Sequence, residues 1–169
     1  AAFLRGMQVL MAAAERLRKN SNILFLFIGG GKKFDELARH VRQRSLDHVF
    51  RFMPYQDRAV LKYSLAVPDV HLVSLRPELE GLIVPSKFYG VAAAGRPLIA
   101  LTSREGEIAK LVYQHRCGMV VEPGDADGLV TAIRHLSEND ESLAQMGHRA
   151  RRMLDTNFSR QHAFNRWSS

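Results

Sequence analysis

A serine and a lysine at the start of a small-residue helix carry the strongest chemical signal in this sequence. In the stretch Glu78 to Pro97, ELEGLIVPSKFYGVAAAGRP, an irregular loop runs into Pro85-Ser86-Lys87, a combination that favours a first helical turn. The free backbone N–H groups of that turn attract an anion. The Ser86 hydroxyl can donate to the anion and the Lys87 ammonium can neutralise it. Together they suit a diphosphate. The competing reading is a capped helix with a surface lysine. Ala92, Ala93, Ala94 and Gly95 let the helix lie tight against its neighbours.

Two other turns have compatible chemistry. Gly29-Gly30-Gly31 ends a continuous apolar run, where glycine lets a ligand approach the backbone closely. Lys32 and Lys33 follow where a dinucleotide-type G-x-G-x-x-G needs a later glycine, so that fingerprint is absent. A tight turn without a ligand fits Gly29–Gly31 equally well. Gly106-Glu107, after Arg104-Glu105, is the third turn. Glu107 can accept hydrogen bonds from sugar hydroxyls or simply favour a helix N-terminus.

Regular alternation of helix and strand positions these turns. Met7–Arg18 has helical periodicity, and Asn22–Ile28 is an apolar run of the kind covered on both faces. Lys32–Arg44 reads as a helix, His48–Met53 as a strand ended by Pro54, and Asp57 as the cap of a short helix through Leu65. Asp69–Leu75 and Pro97–Leu101 are strands around the helix that starts at Pro85-Ser86. Gly106–Arg116 is a helix, Gly118–Val121 a strand, and Ala126–Ser137 and Glu141–Leu154 are helices before a tail reaching Trp167. This order predicts one α/β domain over residues 1–169, a Rossmann-like parallel sheet with helices on both faces. Ligands of such sheets sit beyond the carboxyl ends of the strands, which brings the three turns to one cleft with a cationic wall. The chain starts almost directly in a helix where a strand is expected, which reads as a trimmed beginning.

Composition narrows the classes. No apolar run is long enough to cross a bilayer, and no basic-then-apolar leader opens the chain, so a cytoplasmic setting is expected. Cys117 is the single cysteine, which excludes an internal disulfide and a multi-cysteine metal site. Beside Gly118, it reads as a packing residue. The histidines are scattered, and no metal is expected. A net charge of +7 suits an anionic partner, either a phosphate-bearing ligand or an anionic membrane face. No aromatic-interleaved basic stripe suggests nucleic acid.

The blocks FLFIGGGKKFDEL, VFRFMPYQDR, EGLIVPSKFYGVAAAGRPLIA, GEIAKLV and CGMVVEPGDADGL, in that order, resemble the C-terminal domain of family-four retaining glycosyltransferases of the GT-B fold. The similarity runs from Ile23 to about Phe158. It is greatest to the branch acting in capsule, O-antigen and colanic acid synthesis. The resemblance implies half of a GT-B enzyme, binding a nucleoside diphosphate sugar, UDP-linked by preference, with no other cofactor. Its partner is an N-terminal acceptor-binding domain, and the isolated half is expected to be inactive. Gly29 and Gly30 would line the cleft, and Phe52, Met53, Pro54 and Tyr55 would frame the base, largely through backbone. Val84, Ser86 and Lys87 would hold the diphosphate, with Gly81, Leu82 and Ile83 also among the donor-binding residues. Glu80 and Glu107 would face the sugar, and Arg5, in a Lys-Gly-like Arg5-Gly6 pair, would reach a phosphate. Gly90 stands where the family often carries a ribose-binding glutamate.

Three other classes fit parts of the pattern. They are a GT-B sugar-nucleotide epimerase half, a non-catalytic Rossmann-like module, and a nucleic-acid binder using the positive charge.

Overall fold

The computed structural model describes residues 2–74, 84 and 86–157, with side chains from Gly6 onward. Helix α1 spans Ala2–Leu17, starting before the expected Met7, because Ala2, Leu4 and Arg5 extend the helix-favouring run toward the N-terminus. Then come β1 (Phe25–Ile28), α2 (Lys32–Gln43) and β2 (Phe50–Met53). A 3₁₀ turn at Arg58–Val60 leads into α3 (Leu61–Ala66). They are followed by β3 (His71–Ser74), α4 (Ser86–Ala93), β4 (Leu98–Leu101), α5 (Glu107–His115), β5 (Gly118–Val121), α6 (Ala126–Ser137) and α7 (Asp140–Asn157).

The alternation read from the sequence is present throughout the described residues. One cap is misread: the Asp57 side chain makes no capping hydrogen bond, and only its carbonyl accepts from Val60 N–H, at 2.9 Å. The working cap is Asp125, whose Oδ1 accepts from Gly128 N–H at 2.8 Å and satisfies a free amide of α6. Among the described residues no helix is long and apolar enough to cross a membrane.

All strand pairing among the described residues is parallel, as the alternation requires. The described strands fall into two sheets, β1–β2 and β3–β4–β5, rather than one continuous sheet. Strand β4 is central and every residue of Leu-Ile-Ala-Leu is buried, so it reads as an unbroken apolar run. One core cluster packs Val73, Leu98 and Ala100 against Phe88 and Val91 of α4, Ile108 and Val112 of α5, and Met153 of α7. On the other face, Leu17, Ile99, Leu101, Leu129 and Leu136 join α1 and α6 to the strands. Beneath α1 and α2, the rings of Phe25, Phe27, Phe50 and Phe52 stack 5.1–6.0 Å apart across the β1–β2 pair. These rings hold β2 beside β1 and so fix where β2 ends, at Met53.

Glycine at position 118 is dictated by close approach. A Cβ there would run into the backbone carbonyl of Leu98 on the paired strand. Gly118→Ala is therefore expected to cost roughly 2–3 kcal/mol by forcing β5 away from β4. Gly6→Ala, inside α1 with open space around its Cβ, should instead gain roughly 0.5–1 kcal/mol. Urea denaturation checks both, and an unmoved midpoint for Gly118→Ala would contradict the register.

Candidate functional site

The first turn is built by backbone geometry. Gly29 N–H donates to Met53 carbonyl at 3.0 Å, so the β1–β2 ladder continues into the glycines. Gly31, at φ 87°, occupies the N-cap of α2 in a conformation that favours glycine. It has no side chain with which to cap the helix. The Tyr55 ring lies against this turn. A Cβ on Gly30 would sit 3.2 Å from Tyr55 Cε2, and one on Gly29 3.8 Å from Cε1. The glycines are thus the surface on which the ring rests, while Tyr55 stays 77% exposed. An exposed aromatic face fixed beside glycine amides can stack a planar base and leave the amides to an anion.

The structure brings Gly29, Gly30, Met53 and Tyr55 together, as the sequence suggested. The Phe52 ring stacks on Phe27 and Phe50 and meets Phe34 edge-on at 5.2 Å, which leaves its backbone, the part the sequence reading relied on. Gln56 Nε2 donates to the Pro54 carbonyl at 2.9 Å, which folds the chain back after β2.

The second turn opens α4. Ser86 and Lys87 are its first residues and are exposed at the surface, and Val84 packs half-buried on the Val73–Phe88 core. Lys87 bends back, and its Nζ donates to the Leu72 carbonyl of β3 at 3.1 Å. Partial loss of water around the ammonium, packed back against β3, holds its pKa below the usual lysine value although the residue as a whole reaches the surface. Glu80, Gly81, Leu82 and Ile83 lie outside the described residues, as does the Arg5 side chain, whose backbone belongs to α1. Gly90 sits on the side of α4 that touches α3, where a Cβ would come 3.2 Å from Leu65 Cδ1. The tight α3–α4 contact gives a physical reason for glycine in place of a glutamate.

The third turn, between β4 and α5, is folded on itself. Gly106 N–H donates to the Ser103 carbonyl at 3.0 Å, and Glu105 N–H to Ser103 Oγ at 3.3 Å. Glu107 does begin α5, but its Oε1 accepts from Lys110 Nζ at 2.6 Å, which ties the carboxylate to its own helix. No described contact joins it to the other two turns.

The sequence reading missed two groups. Thr102, buried, and Ser103 stand at the carboxyl end of β4, and their signal was a hydroxyl pair directly after a buried apolar strand. His71 is buried at the start of β3, with ring Nε2 2.8 Å from the Leu65 carbonyl. Burial lowers its pKa, the Leu65 hydrogen bond opposes this, and the nearby positive charges of Lys87 and Arg96 lower it further. The alternation of inward His71 and Val73 was its signal. A cavity of about 290 Å³ lined by Gln114, His115, Arg149, Arg152, Met153 and Thr156 lies near the C-terminal end of α5 and shares no residue with the three turns.

Residues 2–139 match the family described as "Glycosyl transferases group 1". The "Probable glycosyltransferase WbjE" of Pseudomonas aeruginosa is 31% identical over 156 residues, covering 92% of this chain and 38% of its own length. The "O-antigen chain mannosyltransferase C" of Escherichia coli is 28% identical over 162 residues, 95% of this chain and 41% of its own length. This chain therefore spans about two fifths of these curated relatives. Among solved structures, TarM superposes with a TM-score of 0.78 at 18% identity, over 95% of this chain and 31% of that one. Anabaena HepE in complex with UDP-glucose gives 0.72 at 18% identity, over 94% of this chain and 45% of that one. These likenesses establish the fold.

Cys117 takes no part in the site. It is buried, and burial pushes its thiol pKa up to about 11. At pH 8 iodoacetamide should label the native chain about a hundredfold more slowly than the guanidinium-unfolded chain. Equal rates would contradict a packing role.

Proposed function

The chain belongs to the group 1 glycosyl transferases, and on that premise we propose that it grips the diphosphate of a nucleoside diphosphate sugar. The sugar is then transferred to an acceptor held by another domain of the same enzyme. The observation that carries this reading is the pairing of two features at strand carboxyl ends. One is the Gly29–Gly30 backbone under the exposed Tyr55 ring, and the other is the Ser86-Lys87 start of α4. Tyr55 stacks the base, and the amides of α2 and α4 meet the phosphates. Lys87 and Arg5 supply positive charge as the diphosphate leaves. Each charged hydrogen bond contributes roughly 1.5–3 kcal/mol in a partly dry cleft.

The fold shared with HepE, solved with UDP-glucose, and with TarM, solved with UDP, favours a UDP-type donor. The O-antigen mannosyltransferase relative favours hexosyl transfer to a growing glycan or lipid-linked acceptor. Transfer retains anomeric configuration, with Glu80 at the sugar end. At two fifths of its relatives' length, the chain alone binds donor without transferring it. The net charge of +7 suits docking at an anionic inner membrane face, where lipid-linked acceptors lie.

Lys87 gives the reading its test. Its pKa is lowered by burial, so the ammonium is charged below that lowered value and neutral above it. A diphosphate favours the charged form, so binding takes up a proton near and above that pKa, and affinity falls as pH rises through it. Lys87→Ala should weaken UDP binding about tenfold and abolish the alkaline fall. Calorimetry in buffers of different ionisation enthalpy reads both effects. Equal affinity of the two proteins would reject the role of Lys87.

A further inference from the structure

The cavity between α5 and α7 has a lining suited to an anion. Helices that cross over between parallel strands run back along them, so α5 ends at His115 just before β5 begins at Gly118. The cavity therefore lies toward the amino edge of the sheet, away from the three turns, and stands independently of the donor reading. Gln114 and His115 come from the last turn of α5. Arg149, Arg152, Met153 and Thr156 come from α7 at spacings i, i+3, i+4 and i+7, which puts them on one helix face.

That lining is one-sided in charge. Among the described residues no carboxylate borders the cavity, and every polar lining group can donate a hydrogen bond. The acids of the two helices are engaged elsewhere. Glu107 holds Lys110 in the first turn of α5, Glu141 accepts from Gln145, Asp155 holds Arg151 at 3.1 Å, and Asp140 stands at the far end of α7. Arg151 also donates to the Ala93 carbonyl of α4 at 2.7 Å, so it is fully used. Arg149 and Arg152 are not. Arg149 Nη2 donates only to the neutral Gln145 Oε1, at 3.2 Å, and Arg152 makes no hydrogen bond or ion pair with a described residue. Neither arginine caps α5, where the Arg116 and Cys117 N–H groups turn back to the Val112 carbonyl instead. Two guanidinium groups one turn apart repel each other until an anion joins them.

Size decides between a bare ion and a larger ligand. A space of about 290 Å³ far exceeds what one small ion fills, and it is close to the lower bound of small-molecule sites, about 300 Å³. Met153, buried and shared with the core cluster, adds an apolar wall that a bare ion would not use. The Gln114 amide and Thr156 hydroxyl add neutral groups of the kind that meet hydroxyls. We propose that this cavity binds a small phosphate monoester of sugar size. Its phosphate lies between the Arg149 and Arg152 forks, and its organic part rests on Met153 with hydroxyls toward Gln114 and Thr156. Guanidinium groups meet phosphate oxygens in pairs, so the forks recognise shape as well as charge. Exposed Gln114, Arg152 and Thr156 leave the mouth open, and a free ester can enter and leave.

The test uses the isotope-labelled chain and mannose 6-phosphate, followed by backbone amide and arginine side-chain shifts. Saturable shifts are expected at Gln114, His115, Arg149, Arg152 and Thr156, with Gly29, Gly30, Tyr55 and Ser86 unmoved. The ester should bind about tenfold tighter, or more, than mannose or inorganic phosphate. Arg152→Gln should weaken it about tenfold, and Arg152→Lys, which keeps the charge without the fork, should recover only part of that loss. Arg134→Gln removes the same charge from the exposed face of α6 and should change affinity by less than about twofold. Equal losses in Arg134→Gln and Arg152→Gln would reduce the effect to net charge and overturn the site. Inorganic phosphate that binds as tightly as the ester would overturn the sugar-sized ligand. Phosphatidate vesicles that broaden the same residues while mannose 6-phosphate leaves them unmoved would assign the cavity to a lipid surface and overturn it too. Shifts confined to the strand-end turns would put the ester in the donor site, which rejects this cavity and leaves the donor reading intact.

Discussion

Parallel pairing is the constraint from which the rest of this structure follows. Parallel strands need a long crossover between each pair, and here each crossover is a helix. The carboxyl end of a strand therefore leads into a helix N-terminus, with its free amides and positive dipole end. Gly29–Gly31 before α2, Ser86-Lys87 at the start of α4 and Ser103–Gly106 before α5 are three products of that one rule. A binding edge rich in amides is the consequence of the topology. The side chains placed on it decide what it holds.

Those side chains divide in kind. Tyr55 lies over two glycines, and a Cβ on Gly30 would come 3.2 Å from its ring and shift it by a few tenths of an ångström. Lys87 is held by charge, and at a disadvantage: its ammonium is partly stripped of water for one neutral carbonyl, which depresses its pKa. A cation in that condition gains more from an arriving phosphate than a fully solvated one would. Glu107 represents the opposite case, since Lys110 already satisfies it at 2.6 Å in a half-exposed pair. An exposed pair of this kind contributes little and does not point into a cleft.

Much of this was legible in the sequence, because period and punctuation carry it. Strand β4 showed as Leu-Ile-Ala-Leu, α5 stopped where Arg116 adopts a left-handed conformation just before Cys117, and glycines marked the turns. The family resemblance also holds, on residues 2–139. What escaped was tertiary. Asp57 looked like a cap yet makes no capping bond, whereas Asp125 does, and only the surrounding backbone separates the two. Phe52 was read as framing a base through its backbone, and the destination of its ring, inward in the aromatic stack across β1 and β2, was not legible. That Tyr55 contributes a ring, that Lys87 turns back onto β3, and that the strands divide into two sheets all depend on packing between segments far apart in sequence. The tail reaching Trp167 lies outside the described residues.

The binding edge is tested most directly by titrating the isotope-labelled chain with UDP and following backbone amide shifts. Donor binding at the strand ends predicts saturable shifts at Gly29, Gly30, Gly31, Tyr55, Ser86 and Lys87, with β5 and α6 unmoved. Shifts confined to the α5–α7 cavity around His115 and Arg152, or none at millimolar UDP, would contradict it.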